Sequence, residues 1–235
     1  TINLYYKDMF DYIASKRYDA DPSQYAIYEN MDYANSRGLE MAFQRLYSGG
    51  LDWEINYTLS RAEGNAPTSD YHWYVAEWAN GYDWRDFNHT YTMPWDQTHN
   101  INFRLNYIRH SGLGLSMIGN YGSGFPYTTE FVGVRTAFEN NALKPASSNL
   151  NLKGYYNFIF MRKRQISVHI NIYNLFDVRN EETVYNDTGR STYSLLPTYT
   201  AQYSGPALNT LEEYLVRPHY YSAPRQIKIG LSVSL

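Results

Sequence analysis

Apolar and polar residues alternate with a period of two along much of the chain, as in strands with one face in an apolar phase and the other in water. The clearest run is His99 to Tyr107. Ile101, Phe103, Leu105 and Tyr107 fall on one face, and Asn100, Asn102, Arg104 and Asn106 on the other. Ile166, Val168, Ile170 and Ile172 alternate with Ser167, His169, Asn171 and Tyr173. Ile227, Ile229, Leu231, Val233 and Leu235 alternate with Lys228, Gly230, Ser232 and Ser234. Leu51, Trp53, Ile55, Tyr57 and Leu59 alternate with Asp52, Glu54, Asn56, Thr58 and Ser60. Weaker alternation marks 1–13, 31–47, 112–123 and 148–160. About eight strands are expected, each long enough for the ~9–11 residues with which a tilted strand spans a bilayer.

The connections carry independent information. Ser48-Gly49-Gly50, His110-Ser111-Gly112 and Met161-Arg162-Lys163-Arg164 are tight, whereas about 14–30, 62–96, 124–147 and 177–222 are long. Strict alternation of short and long connections is the habit of a transmembrane barrel, with short periplasmic turns and long extracellular loops. The fold expected is therefore all-β, an antiparallel transmembrane β-barrel wall. Both chain ends would lie on the periplasmic side. A soluble antiparallel barrel is the competing reading, but loops this long are uncommon in compact domains.

Composition sharpens the choice. Of 235 residues, 26 are tyrosine, 43% are hydrophobic and only 18% are charged, below the roughly 25% charge usual in soluble domains. Mean hydropathy is nonetheless −0.57, and no stretch approaches the ~18 consecutive apolar residues of a transmembrane helix. A barrel strand wets half its side chains, which reconciles these values. The net charge of −3 argues against nucleic acid as a partner. The absence of cysteine excludes a disulfide scaffold and any thiolate metal site.

Alternation assigns faces. Ile101, Phe103, Leu105, Ile166, Val168, Ile170, Ile229 and Leu231 are expected to face outer-membrane lipid. Asn102, Arg104, His169, Asn171 and Lys228 are expected to face the lumen, since a one-residue slip would put Arg104 and Lys228 in hydrocarbon.

Candidate chemistry is sparse. Trp73, Trp78, Trp84 and Trp95 cluster in one long connection. Trp73, Tyr74, Trp78, Tyr82 and Trp84 are the candidate ligand or partner contacts on the extracellular side, because aromatic faces stack on flat ligands, sugars and proteins. A self-packed loop core and interfacial anchoring rings are the structural alternatives. The histidines (72, 89, 99, 110, 169 and 219) show no ligand spacing, so neither a metal site nor a cofactor is expected. Asp19-Ala20-Asp21 and Asp83 to Asp86 carry calcium-type ligands without an EF-hand pattern, and read as solvated acidic loops. The basic turn Met161-Arg162-Lys163-Arg164 reads as solvated or as a headgroup contact. No nucleophile and base are paired by spacing, so catalysis is not expected.

Several segments resemble one family. Asn171-Ile172-Tyr173-Asn174-Leu175-Phe176-Asp177 is similar to the Asn-Leu-Phe element in the penultimate strand of TonB-dependent outer-membrane receptors. Val184 to Arg190 and Arg217 to Gly230 resemble members from the Bacteroidetes and their relatives. Asp32 to Glu40, Asn56 to Gly64, Trp95 to Asn102 and Tyr121 to Thr128 agree, in family order. The resemblance implies the C-terminal part of a 22-stranded barrel, integral to the bacterial outer membrane and importing a scarce nutrient. It also implies a plug inside the barrel, energy from TonB through an N-terminal part, and for some members a surface lid lipoprotein. On this reading the chain is a fragment, since alternation reaches both termini and Leu235 stands where an aromatic residue usually closes such barrels. The second reading is a self-contained eight-stranded barrel acting as adhesin, anchor or small enzyme. Pairing between 1–13 and 223–235 would mark it.

Overall fold

A computed structural model describes residues 1–18, 20–71, 89–135, 139–160, 164–197, 210, 213 and 215–234. Eight long strands form one antiparallel sheet: β1 (Ile2–Tyr18), β2 (Tyr25–Ser48), β3 (Leu51–Gly64), β4 (His99–Ile108), β5 (Leu113–Gly122), β6 (Ser147–Phe160), β7 (Arg164–Tyr173) and β8 (Gln226–Ser234). Each pairs with its neighbour in sequence, in the order β1 to β8 without a crossover. β1 and β8 are the two edges and form no ladder with each other, so the sheet is an open wall and not a closed eight-stranded barrel.

The tight turns have local causes. Gly49 and Gly50 both have positive φ, 63° and 87°, as the two-residue hairpin loop between Ser48 and Leu51 requires. Gly112, with φ 91°, closes the turn between β4 and β5, donating its N–H to the Arg109 carbonyl at 3.1 Å.

The first connection departs from expectation. Residues 14–30 are not a long loop: β1 continues to Tyr18 and β2 begins at Tyr25. Past Ala34, opposite the end of β3 at Gly64, the hairpin rises beyond its neighbours in the wall. Cross-strand pairs hold this extension. Lys16 meets Glu29 at 2.9 Å, Tyr18 donates to Glu29, and the Tyr18 and Tyr25 rings stack at 5.6 Å. Two register shifts, between Met9 and Tyr12 and between Tyr12 and Ile13, with Asp11 at φ 59°, interrupt the alternation there. That irregularity hides the extension from a period-two reading.

A single sheet has no second layer, and its apolar face is bare. Among the described residues, Ala14, Met93 and Val184 are the buried hydrophobics. Leu4, Phe43, Ile55, Ile229 and Leu231 are exposed, Ile229 by 75%. Residues directly opposite in a ladder share a face, which carries the apolar row from strand to strand. Leu39 meets Leu59, Ile55 meets Phe103, Leu105 meets Met117, Met117 meets Leu152, Leu152 meets Ile172, and Ile170 meets Ile229. An apolar face this broad in water would be an aggregation surface; in lipid it is the outside of a barrel. No helix among the described residues is long and apolar enough to cross a membrane.

Candidate functional site

The opposite face is largely polar, with Ile118 an apolar exception, and the register sorts it into rows running across the wall. Asp52, Asn106, Ser116, Lys153, Asn171 and Lys228 form one row from β3 to β8. Asn106 donates to Asp52 at 2.9 Å and accepts from Ser116 at 2.7 Å. Glu54, Arg104, Ile118 and Asn151 form the next row. Here Arg104 lies 3.3 Å from Glu54, and the Asn56 amide donates to Glu54 at 2.9 Å.

Above it stands a row of four asparagines on four consecutive strands. Asn56 is directly opposite Asn102, Asn102 opposite Asn120, and Asn120 opposite Asn149. The row does not bond along its own length. Asn102 donates instead to Asn100 two residues back on β4, and Asn100 to Gln97 at 2.6 Å. Asn149 Oδ1 is buried and has no hydrogen-bond partner. It lines a cleft of about 370 Å³ together with Asn151, Tyr173, Asn174, Gln226 and others.

The expected lumen residues fall on this polar face by register: Asn102, Arg104, His169, Asn171 and Lys228. His169 is opposite Gly230, and its ring fills the space above that glycine. The Lys228 ammonium lies 5.3 Å from the centre of the Tyr173 ring. Alternation alone does not reveal the asparagine row, because row membership depends on the pairing of four strands.

The long connections gather at the end of the wall opposite the tight turns and are tied to one another. Asn140 donates to the Thr92 carbonyl at 2.8 Å, the Glu130 N–H to the Asn186 carbonyl at 3.1 Å, and Lys144 to the Glu182 carbonyl at 3.2 Å. Asn180 exchanges two bonds of 2.9 Å with the backbone of Ser148. Within the last connection Arg190 grips Glu181 through Nη2 at 2.6 Å and Nε at 3.0 Å. Burial works to raise the Glu181 pKa, but Arg190 and the Ser191 N–H outweigh it and hold the carboxyl below its ordinary value.

The family-like segments prove to be fixtures of strand ends. Asn174, at φ 54°, is buried where β7 ends. Its amide donates to the Val178 and Ala223 carbonyls at 2.9 and 3.0 Å and accepts from the Val178 N–H at 2.9 Å. Asp96 accepts the Ala62 N–H at 2.7 Å, and Gln97 donates to the Ser123 carbonyl at 3.0 Å. The candidate contacts Trp73, Tyr74, Trp78, Tyr82 and Trp84 lie outside the described residues. Trp95 is described and is 56% exposed. Among the described residues, no group of three or more His, Asp or Glu side chains is placed to hold a metal ion.

No family model and no curated protein matches the sequence. Solved structures do match. The ferric-catecholate import receptor Fiu of E. coli K12, in its closed form, superposes with a TM-score of 0.50 at 12% identity, over 80% of this chain and 22% of that one. The outer membrane transporter YddB of Escherichia coli gives 0.52 at 12% identity, over 77% of this chain and 26% of that one. The chain thus spans about a quarter of the length of either transporter. At this identity the likeness is one of fold: the sheet is built like a stretch of the β-barrel wall of these two structures.

Proposed function

We propose that the chain forms part of the barrel of a TonB-dependent outer-membrane receptor that imports a scarce nutrient. The observation that carries this reading is the division of eight strands into one largely apolar and one largely polar face, with the long connections at one end. The apolar face meets outer-membrane lipid. The polar face, with Asn102, Arg104, His169, Asn171 and Lys228, lines the lumen, where the rest of the barrel and a plug complete the transporter.

The long connections face outward. Trp73, Tyr74, Trp78, Tyr82 and Trp84 then offer stacking surface to a ligand or to a surface lid lipoprotein. The role assigned is passage and recognition, with no covalent step. The fold likeness to Fiu and YddB supports the barrel part of this reading.

The test is made in the native cell. Deleting the gene should abolish uptake of one scarce nutrient, and deleting TonB should abolish the same uptake. Uptake that survives TonB loss overturns the energetic part of the reading. A cell fractionation that leaves the protein out of the outer membrane overturns all of it.

A further inference from the structure

We propose that Arg45 and Arg109 form a site on the outer face of the wall for the phosphate of an anionic phospholipid headgroup, in the leaflet on the side of the tight turns. The inference rests on the barrel reading, which turns the apolar face to lipid, and names the lipid that this part of the face selects.

Register puts both arginines on the apolar face. Arg45 on β2 is directly opposite Trp53, and Trp53 is opposite Leu105. Arg109 follows β4, and its N–H bonds the carbonyl of Leu113, which is opposite Tyr156 and through it shares a face with Val168. Rows recede from the tight-turn end as they cross the wall: Trp53 is the third residue of β3, and Leu152, in the same row, is the ninth from the end of β6. Arg109 is four residues nearer the turns than Leu105, which brings it back toward the level of Arg45. Two strand spacings across and four residues along put the two α-carbons about 16 Å apart, a gap that two extended arginine side chains and a phosphate between them can close.

The two ends of this face differ in charge. At the end of the long connections Arg37 and Arg61 are directly opposite each other and share Glu63, at 3.3 and 2.7 Å. Asp8 lies in the row of Glu63, so two cations there are balanced by two carboxylates. At the tight-turn end Arg45 and Arg109 are exposed, and among the described residues neither has an ion-pair partner. Their neighbours on the face are Phe43, Leu51, Trp53, Ile55, Tyr107 and Leu113, with no carboxylate among them.

Chemistry selects the occupant. An arginine on a lipid-facing strand is costly at the midplane and tolerated near the interface, where the guanidinium reaches the headgroups. Trp53 and Tyr107 suit the same level, with an apolar body and a polar tip. Guanidinium groups bind phosphate oxygens through paired N–H donors. With no carboxylate beside them, two positive charges favour a headgroup of net negative charge over a zwitterion, whose ammonium they repel. Phe43 and Ile55, exposed toward the midplane from Arg45 and Trp53, give the acyl chains their surface.

The test uses the whole protein, purified from outer membranes of its native cell and exchanged into micelles carrying equal amounts of phosphatidylglycerol and phosphatidylcholine. Native mass spectrometry counts the lipids retained. Phosphatidylglycerol is expected to be retained about tenfold over phosphatidylcholine, and R45A/R109A should bring the ratio close to one. R37A/R61A, at the other end of the same face, should leave the ratio as in wild type. Each variant is first checked for heat-modifiable migration, and R45Q/R109Q serves where R45A/R109A fails. Excess inorganic phosphate should not displace the phosphatidylglycerol, because it has no chains to lie on Phe43 and Ile55. Equal retention of the two lipids, a preference that survives R45A/R109A, an equal loss in R37A/R61A, or displacement by inorganic phosphate each overturns the proposal, and the last would make this a site for the free anion. If the protein fractionates with the outer membrane but retains the two lipids equally, the lipid inference falls and the barrel reading stands.

Discussion

The ring of Tyr155 on β6 occupies the space that a side chain at Gly114 on β5 would need, and the two residues are directly opposite each other in the ladder. The same relation joins Tyr5 to Gly38 and His169 to Gly230 on the polar face, and Phe103 to Gly119 on the apolar face. Glycine leaves a strand without a side chain to pack. A ring from the facing residue covers the exposed backbone and fixes the register of the pair. Four such pairs along one wall tie β1 to β2, β4 to β5, β5 to β6 and β7 to β8.

Adding a side chain at Gly114 should therefore displace the Tyr155 ring. Gly114→Val is expected to cost about 1–3 kcal/mol through overpacking. Tyr155→Ala should cost less than that, and the double variant should be clearly less than additive because the two share one contact. Urea unfolding of the whole protein folded into lipid vesicles gives all four corners of the cycle. Additive costs would mean that the ring and the glycine are energetically independent.

Neighbouring residues on β7 should respond oppositely to charge. Ile170 is opposite Ile229 on the apolar face, and His169 is opposite Gly230 on the polar face. Ile170→Arg near the bilayer midplane should cost ~2–4 kcal/mol, whereas His169→Arg should be mild. Vesicle folding titrations measure both. Equal costs would refute the assignment of faces.

What the sequence shows of this fold follows from which quantities are local. Each of the eight strands is a local property, a period of two over about ten residues, and each stands where that period runs. The upper part of the first hairpin is invisible to the same reading because the irregularity at Met9–Ile13 interrupts the alternation. Asn174 is conspicuous in the sequence only through its likeness to a family element, while its work is non-local: it ties the end of β7 to Ala223, just ahead of β8. The asparagine row is less legible still. Asn56, Asn102, Asn120 and Asn149 are ordinary polar positions until four registers align them. The aromatic cluster from Trp73 to Trp84 shows the reverse, being plain in the sequence and outside the described structure.

Asn174 should prove more sensitive than any exposed polar residue nearby. Asn174→Ala removes two donors and one acceptor that serve backbone groups, and a buried group left without its partner costs about 1–3 kcal/mol. It also places alanine at φ 54°, where a Cβ is unfavourable. Asn174→Asp keeps the acceptor for the Val178 N–H and tolerates the backbone, but loses both donated bonds. Faster protease cleavage between 178 and 225 is expected in both, and more so for alanine. Unchanged cleavage would show that the remaining ties, such as Asn180 to Ser148, suffice.

Acid should release the last long connection at Glu181. Its folded pKa is held below the ordinary value near 4.5. The stabilisation is therefore complete above that value and is lost as pH falls through the lower folded one. Arg190 is half exposed, so solvent screening keeps the effect modest. Limited proteolysis of the connection, followed from pH 7 down to pH 3, should accelerate only at the acid end. Glu181→Gln should be faster at pH 7 and should flatten the profile. A wild-type profile already flat across this range would remove Glu181 from the latch.

Sidedness decides how the whole wall is oriented. The tight turn at Ser48–Leu51 and the connection that runs from Gly64 to His99 lie at opposite ends of β3. If the long connections face outward, a cysteine introduced at Trp95, which is exposed, should react on intact cells with a reagent that does not cross the outer membrane. A cysteine at Gly49, where an added side chain meets nothing, should react only after that membrane is breached. With the orientation confirmed, replacing Trp73, Trp78 and Trp84 by alanine together should weaken uptake or lid docking without lowering barrel yield, if these rings contact a ligand or partner. If they pack only on each other, the triple variant should loosen the connection to protease and leave uptake intact. The reverse labelling pattern would turn the wall over. The asparagine row, which lies toward the long-connection end of the polar face, would then sit at the exit of the lumen and not at its entrance.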